Sequence, residues 1–183
     1  MKAVRPRMTF TDLERLPEDG PRYELYDGDL SEVPAPIPWH QRVALNVTEV
    51  LRDYERRHGG LTLFSPIDIV LDDYNVVQPD VVFFRKARLS GIDMRRAIRI
   101  PPDLAAEVLS PTTEQTDRGR KLRLLARFEV KEYWLLDPGE RSVEQYLWRN
   151  GTLTLEATLP IGVVLTAHTL EGLAVPVDRL FAD

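Results

Sequence analysis

The chain has 183 residues, 43% hydrophobic and 29% charged, with a formal net charge of −5. That composition is ordinary for a soluble globular protein, excludes a uniformly basic nucleic-acid coat, and predicts one domain over residues 1–183. The absence of cysteine excludes disulfides, thiolate zinc sites and cysteine nucleophiles. No apolar run approaches the roughly 20 residues needed to cross a bilayer. Residues 1–11 have basic residues but no apolar stretch behind them, so they do not read as a signal peptide. A cytoplasmic protein with no membrane partner is expected.

In chain order, residues 9–16 predict a short helix, with Thr11 as its cap and Glu14 as the capping-box partner. Strands at 23–26 and 30–33 flank the hairpin signal Asp27-Gly28, and Pro34, Pro36 and Pro38 form an extended connector. Residues 41–57 predict a long helix: Val43, Val47, Val50, Leu51 and Tyr54 make one apolar stripe, stopped by Gly59-Gly60. Residues 61–71 and 76–84 read as two strands of one hairpin. A short strand follows at 104–109 and a second helix at 117–128, with Leu122, Leu125 and Ala126 on its apolar face. A strand at 132–136 precedes a hairpin of 143–148 with 152–157 across Asn150-Gly151. The tail from 162 onward carries no clear signal. The order predicts an α/β (α+β) domain: helices flanking one mixed β-sheet, with extra β-hairpins.

Two carboxylates stand out. Asp80 and Glu107 each lie in an apolar strand segment, where an ionised carboxylate is costly unless something pairs with it. On neighbouring strands they would repel each other unless a cation lay between them. Carboxylate oxygens suit Mg2+ or Mn2+. Either acid taken alone is as well explained by a structural ion pair.

Taken together, Gln78-Pro79-Asp80-Val81, Ala106-Glu107-Val108-Leu109 and Asp117-Arg118-Gly119-Arg120-Lys121 resemble the motifs of the PD-(D/E)XK nuclease superfamily. With Glu24-Leu25-Tyr26-Asp27-Gly28, Trp39-His40-Gln41-Arg42 and Tyr133-Trp134-Leu135 in the same order, the chain resembles the Uma2 family of restriction-endonuclease-like proteins over nearly its whole length. The resemblance implies a restriction-endonuclease-like core and a metal-dependent endonuclease acting on nucleic acid, with DNA as the expected substrate. Asp80, Glu107 and the Val108 carbonyl are the implied ligands of Mg2+ or Mn2+. The chain departs from the superfamily pattern at Leu109, where lysine is usual; the implied replacement is Lys121, reaching the same point from the next helix.

Basic clusters at 85–99 and 118–127 are expected to meet phosphates or to be solvated surface. His40 reads as near the metal, as a phosphate contact or, preferred, as a helix-end histidine bonded to a backbone carbonyl. Glu24 reads as a further carboxylate of the site or, preferred, a surface acid; Gln78 as an assisting amide or a surface one; Asp117 as a ligand or, preferred, a helix N-cap. A catalytically weak nucleic-acid- or protein-binding module with the same fold is the competing reading. A homodimer is expected by analogy with enzymes that cut two strands, with the hairpin at 143–157 as its interface.

Overall fold

The first helix, α1 (Phe10–Leu13), is shorter than the expected 9–16, and its cap lies two residues earlier than expected. Thr9, not Thr11, is the cap, and Asp12 closes the capping box, its carboxylate accepting the Thr9 N–H at 2.9 Å. This difference emerges from a computed structural model that describes residues 7–17 and 19–183. Most of the segment read for a signal peptide, residues 1–6, lies outside the described residues. Among those described, no helix is long and apolar enough to cross a membrane.

Strands β1 (Arg22–Tyr26) and β2 (Asp29–Val33) form the expected hairpin, with both turn residues at positive φ. Helix α2 runs from Pro38 to His58, three residues longer at its start than the apolar stripe requires. Pro38 is not part of the connector but the first helical residue, where a missing N–H and a preset φ are both suited.

The two long strands expected next are each broken, and the break defines the architecture. Residues 61–71 divide into β3 (Leu61–Phe64) and β4 (Ile69–Asp72). Residues 76–84 divide into β5 (Asn75–Val77) and β6 (Val81–Phe84). β4 and β5 pair with each other and with the first hairpin in a four-stranded sheet, ordered β2-β1-β5-β4. β3 and β6 belong to a second sheet. Pro79, which cannot donate to a ladder, sits in the crossing between them.

The second sheet holds the molecule together. After β7 (Leu104–Val108), a crossover of α3 (Glu114–Thr116), a π-type turn (Asp117–Lys121) and α4 (Leu122–Arg127) leads to β8 (Glu132–Asp137). β9 (Ser142–Arg149) and β10 (Thr152–Pro160) follow as a hairpin across Asn150-Gly151, as expected. The strand order is β10-β9-β8-β7-β6-β3, and β7 and β8 are its parallel pair. A parallel pair needs a long crossover, and here that crossover carries Asp117 and Lys121.

One face of this sheet buries α2 through Val43, Val47 and Leu51. The tail shares that face: β11 (Val164–Thr166), β12 (Ala174–Pro176) and α5 (Val177–Leu180) bring Leu165, Leu170, Val177 and Phe181 into the same core. Glu132, fully buried on β8, accepts the Trp134 indole N–H, the Gln145 amide and the backbone N–H groups of His168 and Thr169. The other face packs α4 and the four-stranded sheet, through Tyr26, Ile69, Leu124, Leu125 and Tyr133. Tyr146 and Trp148 pack against that core as well, and the Trp148 indole donates to the Ala126 carbonyl. Two aromatic residues of the 143–157 hairpin are thus partly engaged within the chain.

Candidate active site

Antiparallel pairing of β6 with β7 places Val81 opposite Ala106. One residue further along, Asp80 and Glu107 come level at the end of the sheet. Asp80 is not mid-strand, as its apolar neighbours suggested, but in the crossing between the two sheets, where its side chain is free of the ladder. Glu107 remains in β7 and is buried. Both line one cleft of about 390 Å³, together with Glu24, His40, Gln78, Val108, Asp117 and Lys121.

Lys121 is the centre of the buried charge. Its ammonium lies 2.8 Å from Glu107, 2.9 Å from Glu24 and 3.6 Å from Asp117. It is only 4% exposed, although it lies outside the Leu122, Leu125 and Ala126 face read from the sequence. Asp117, Lys121 and Leu125 follow at i, i+4, i+8, and all three face inward. Asp117 is accordingly no N-cap: it sits inside the crossover helix, buried, as a third carboxylate on the lysine.

Glu24 is likewise not a surface acid. One oxygen receives the Gln78 backbone N–H at 2.7 Å as well as Lys121; the other receives the Tyr26 hydroxyl at 2.6 Å. Burial raises the Tyr26 phenol far above its ordinary range, against the pull of Lys121, so it stays a donor. Gln78 donates its amide to Asp68 at 2.8 Å, while its buried carbonyl oxygen has no partner.

Asp80 accepts the Val108 N–H at 2.8 Å and approaches His40 Nε2 at 3.1 Å on the same oxygen. His40, third residue of α2, is therefore paired with a carboxylate across the cleft. Burial pulls its pKa down, but the hydrogen bond and charge of Asp80 and the Val108 backbone outweigh this and raise it above its ordinary value. Its buried Nδ1 has no partner.

The electrostatics are unbalanced toward negative charge. Burial pushes the Glu107 carboxyl well above its usual range; Lys121 opposes this, and Asp80, Asp117 and Glu24 add to it. Asp117 is raised for the same leading reason, with Lys121 and Thr113 opposing. Burial alone would lower the Lys121 pKa, yet the surrounding acids hold it well above its usual value. The lysine is charged, and one ammonium offsets one of its three carboxylates.

The donor set is of the oxygen-rich kind that suits a hard divalent cation: Asp80, Glu107 and Val108 line one cleft, whose wall residues His40 and Gln78 each hold one buried polar atom without a partner. As the side chains stand, with Lys121 drawn among the acids, no three His, Asp or Glu groups converge as a metal cage among the described residues.

The basic clusters are largely committed within the chain. Arg85 and Arg88 bind buried Asp103; Arg118 bridges Glu114, Asp137 and Glu144; Arg127 binds Asp27; Arg120 lies over the Tyr26 ring. The arginines beside the site are others: Arg22, which lines the cleft and donates to Ser65 at 3.0 Å, and Arg42, exposed on α2. Charge runs in the sequence pointed elsewhere, since an isolated arginine carries no run.

A family model described as "Putative restriction endonuclease", Uma2, matches residues 10–178. A solved structure, titled as a "putative nuclease belonging to DUF820" from Anabaena variabilis, superposes with a TM-score of 0.77 at 21% identity. The match covers 95% of this chain and 97% of that one. No curated protein matches.

Proposed function

Since the chain belongs to the Uma2 family of restriction-endonuclease-like proteins, we propose that this cleft hydrolyses phosphodiester bonds in DNA with a bound Mg2+ or Mn2+. The observation that carries the proposal is the excess of acid: Glu24, Asp80, Glu107 and Asp117 line one cleft whose basic groups are Lys121, His40 and Arg22, and three of the acids share the one ammonium. Like charges in low dielectric demand either protonation or a second cation. Asp80, Glu107 and the Val108 carbonyl would hold that cation, which supplies Lewis-acid polarisation of the phosphate.

The remaining roles belong to the chain. Lys121, held by Glu24 and Asp117, presents a fixed positive charge to the phosphate oxygens and offsets the charge that develops there. His40 neutralises Asp80 when the cleft is empty of cations and yields that carboxylate when one enters. Arg22 contacts a phosphate at the cleft wall, as a donor that positions the strand without reading it. Two copies acting together, each on one strand, is the matching proposal for the assembly.

Plasmid nicking in Mn2+ tests the reading. Wild type should relax supercoiled DNA, and Glu107→Gln should lose at least about tenfold, roughly 1.4 kcal/mol of transition-state stabilisation. Equal rates for the two proteins would remove Glu107 from the mechanism. Binding of DNA without any cutting would favour a module that keeps the fold without turnover.

A further inference from the structure

Next to the cleft, a second groove of about 400 Å³ runs between α2 and the end of β3. Its floor is Ala44 and Thr48, its sides Leu45 and Phe64. Phe64 is 63% exposed and Leu45 46%. Thr48 donates its hydroxyl to the Ala44 carbonyl and has no proton to offer a ligand. Gln41 and Arg42, both exposed, supply the polar mouth.

The groove is joined to the cleft by shared walls: Gln41, Ser65 and Asp80 line both. Phe64 is fixed relative to Asp80 by the sheet. It pairs with Val81, and the Ser65 N–H donates to the Asp80 carbonyl at 2.9 Å. A phosphate held at Asp80 therefore has an aromatic face in the adjoining groove, across an apolar slot with an amide at its mouth. Exposed aromatic rings bind bases by stacking, without regard to sequence, and a phosphate-binding groove alongside tracks the strand. A base inside a duplex cannot enter such a slot.

We propose that the α2–β3 groove binds an unstacked nucleobase, against Phe64, of the strand whose phosphate lies at Asp80, so that the protein prefers single-stranded or unpaired nucleic acid. Arg42 at the mouth complements the adjoining phosphate. The proposal deepens the hydrolytic reading above and rests on it.

The test is equilibrium binding by fluorescence anisotropy in Ca2+. The ligands are a labelled single-stranded DNA oligonucleotide, the same chain with tetrahydrofuran abasic spacers, and the duplex. Wild type should bind the base-bearing single strand about tenfold more tightly than the other two, equivalent to 1.4 kcal/mol and within the range of one base–aromatic stack. Phe64→Ala should abolish that difference, and Phe64→Tyr should keep it. Both variants should fold, since the ring lies outside the core, and the abasic comparison needs no variant.

Equal affinity of wild type for base-bearing and abasic chains overturns the groove proposal and leaves the hydrolytic reading intact. A preference that survives in Phe64→Ala also overturns it. So does a Phe64→Ala protein that changes from dimer to monomer in sedimentation while its DNA binding is unaltered, because the face would then belong to a second copy. If no nucleic acid binds at all, the hydrolytic reading fails and takes the groove with it.

Discussion

Replacing Lys121 by methionine keeps most of the side-chain volume and removes only the charge. Its ammonium stands within 4 Å of three buried carboxylates, on Glu24, Glu107 and Asp117. Removing one partner from a buried ion pair costs about 3–5 kcal/mol, because the other is left desolvated and unpaired. For a chain of this length, each kcal/mol lowers the melting temperature by about 2–4 °C, so the variant should melt about 6–20 °C lower in EDTA near neutral pH. The pH dependence has a definite sign. Glu107 already has a raised pKa in the folded protein, and losing Lys121 raises it further. A carboxyl raised on folding holds its proton more tightly when folded, so the deficit should be smallest at acid pH and grow as pH rises. Mn2+ should restore more stability to the variant than to wild type, since the cleft is then more negative. Differential scanning fluorimetry across pH, with and without Mn2+, reads all three effects. An unchanged melting point in EDTA at neutral pH would refute the reasoning, because it would mean that the three acids do not depend on the lysine.

Asp80→Asn should weaken Mn2+ binding at least about tenfold by calorimetry, as one of few charged ligands is lost; equal affinity would take Asp80 out of the metal set. In metal-free protein, the His40 ring should titrate above its ordinary 6.5. The His40–Asp80 pair therefore stabilises the fold fully below that value, and the contribution is lost as pH rises through the folded pKa. An NMR titration in which Asp80→Asn leaves the His40 pKa unmoved would contradict the pairing. Gly60 and Gly151 both have positive φ, but a Cβ on Gly60 would lie 2.4 Å from the Phe83 ring and 2.8 Å from the Phe84 carbonyl, while Gly151 has nothing within 4 Å. Gly151→Ala should cost only about 1 kcal/mol of backbone strain, and Gly60→Ala clearly more, about 1–3 kcal/mol beyond that for overpacking; urea midpoints in the opposite order would reject this.

Much of the fold is legible in the residues where local chemistry and tertiary packing agree. The α2 stripe, both tight hairpins and the β7 and β8 strands are of that kind. The reading fails where two different burials look alike. Residues 76–84 read as one strand because the apolar stretches at both ends, in β5 and β6, are each buried, but in different sheets; only Gln78-Pro79-Asp80 marks the crossing. Glu24 and Tyr26 alternate with Leu25 as an exposed face would, yet both are covered, because β1 is flanked by two strands and faces the crossover helix. The burial of Lys121 is legible: a charged pair at Asp117 and Lys121 continues the buried stripe through Leu125 at helical spacing. The tail has no comparable signal. Its elements are three or four residues long, too short for periodicity, and tertiary contact alone holds them.

The way Glu132 holds that tail bears on the order in which the molecule can be completed during synthesis. Its carboxylate receives the backbone of His168 and Thr169, which the ribosome adds more than thirty residues after β8. Until those donors arrive, a charge in the middle of the sheet has only Trp134 and Gln145 to satisfy it, and the face beneath Leu165, Leu170 and Phe181 stays wet. The charged end of the sheet, with Asp80, Glu107 and Lys121, is by then fully made. A chain stopped near residue 160 would thus contain every side chain of the cleft and still leave uncovered the part of the core that the tail packs on, making it a substrate for chaperones and proteases.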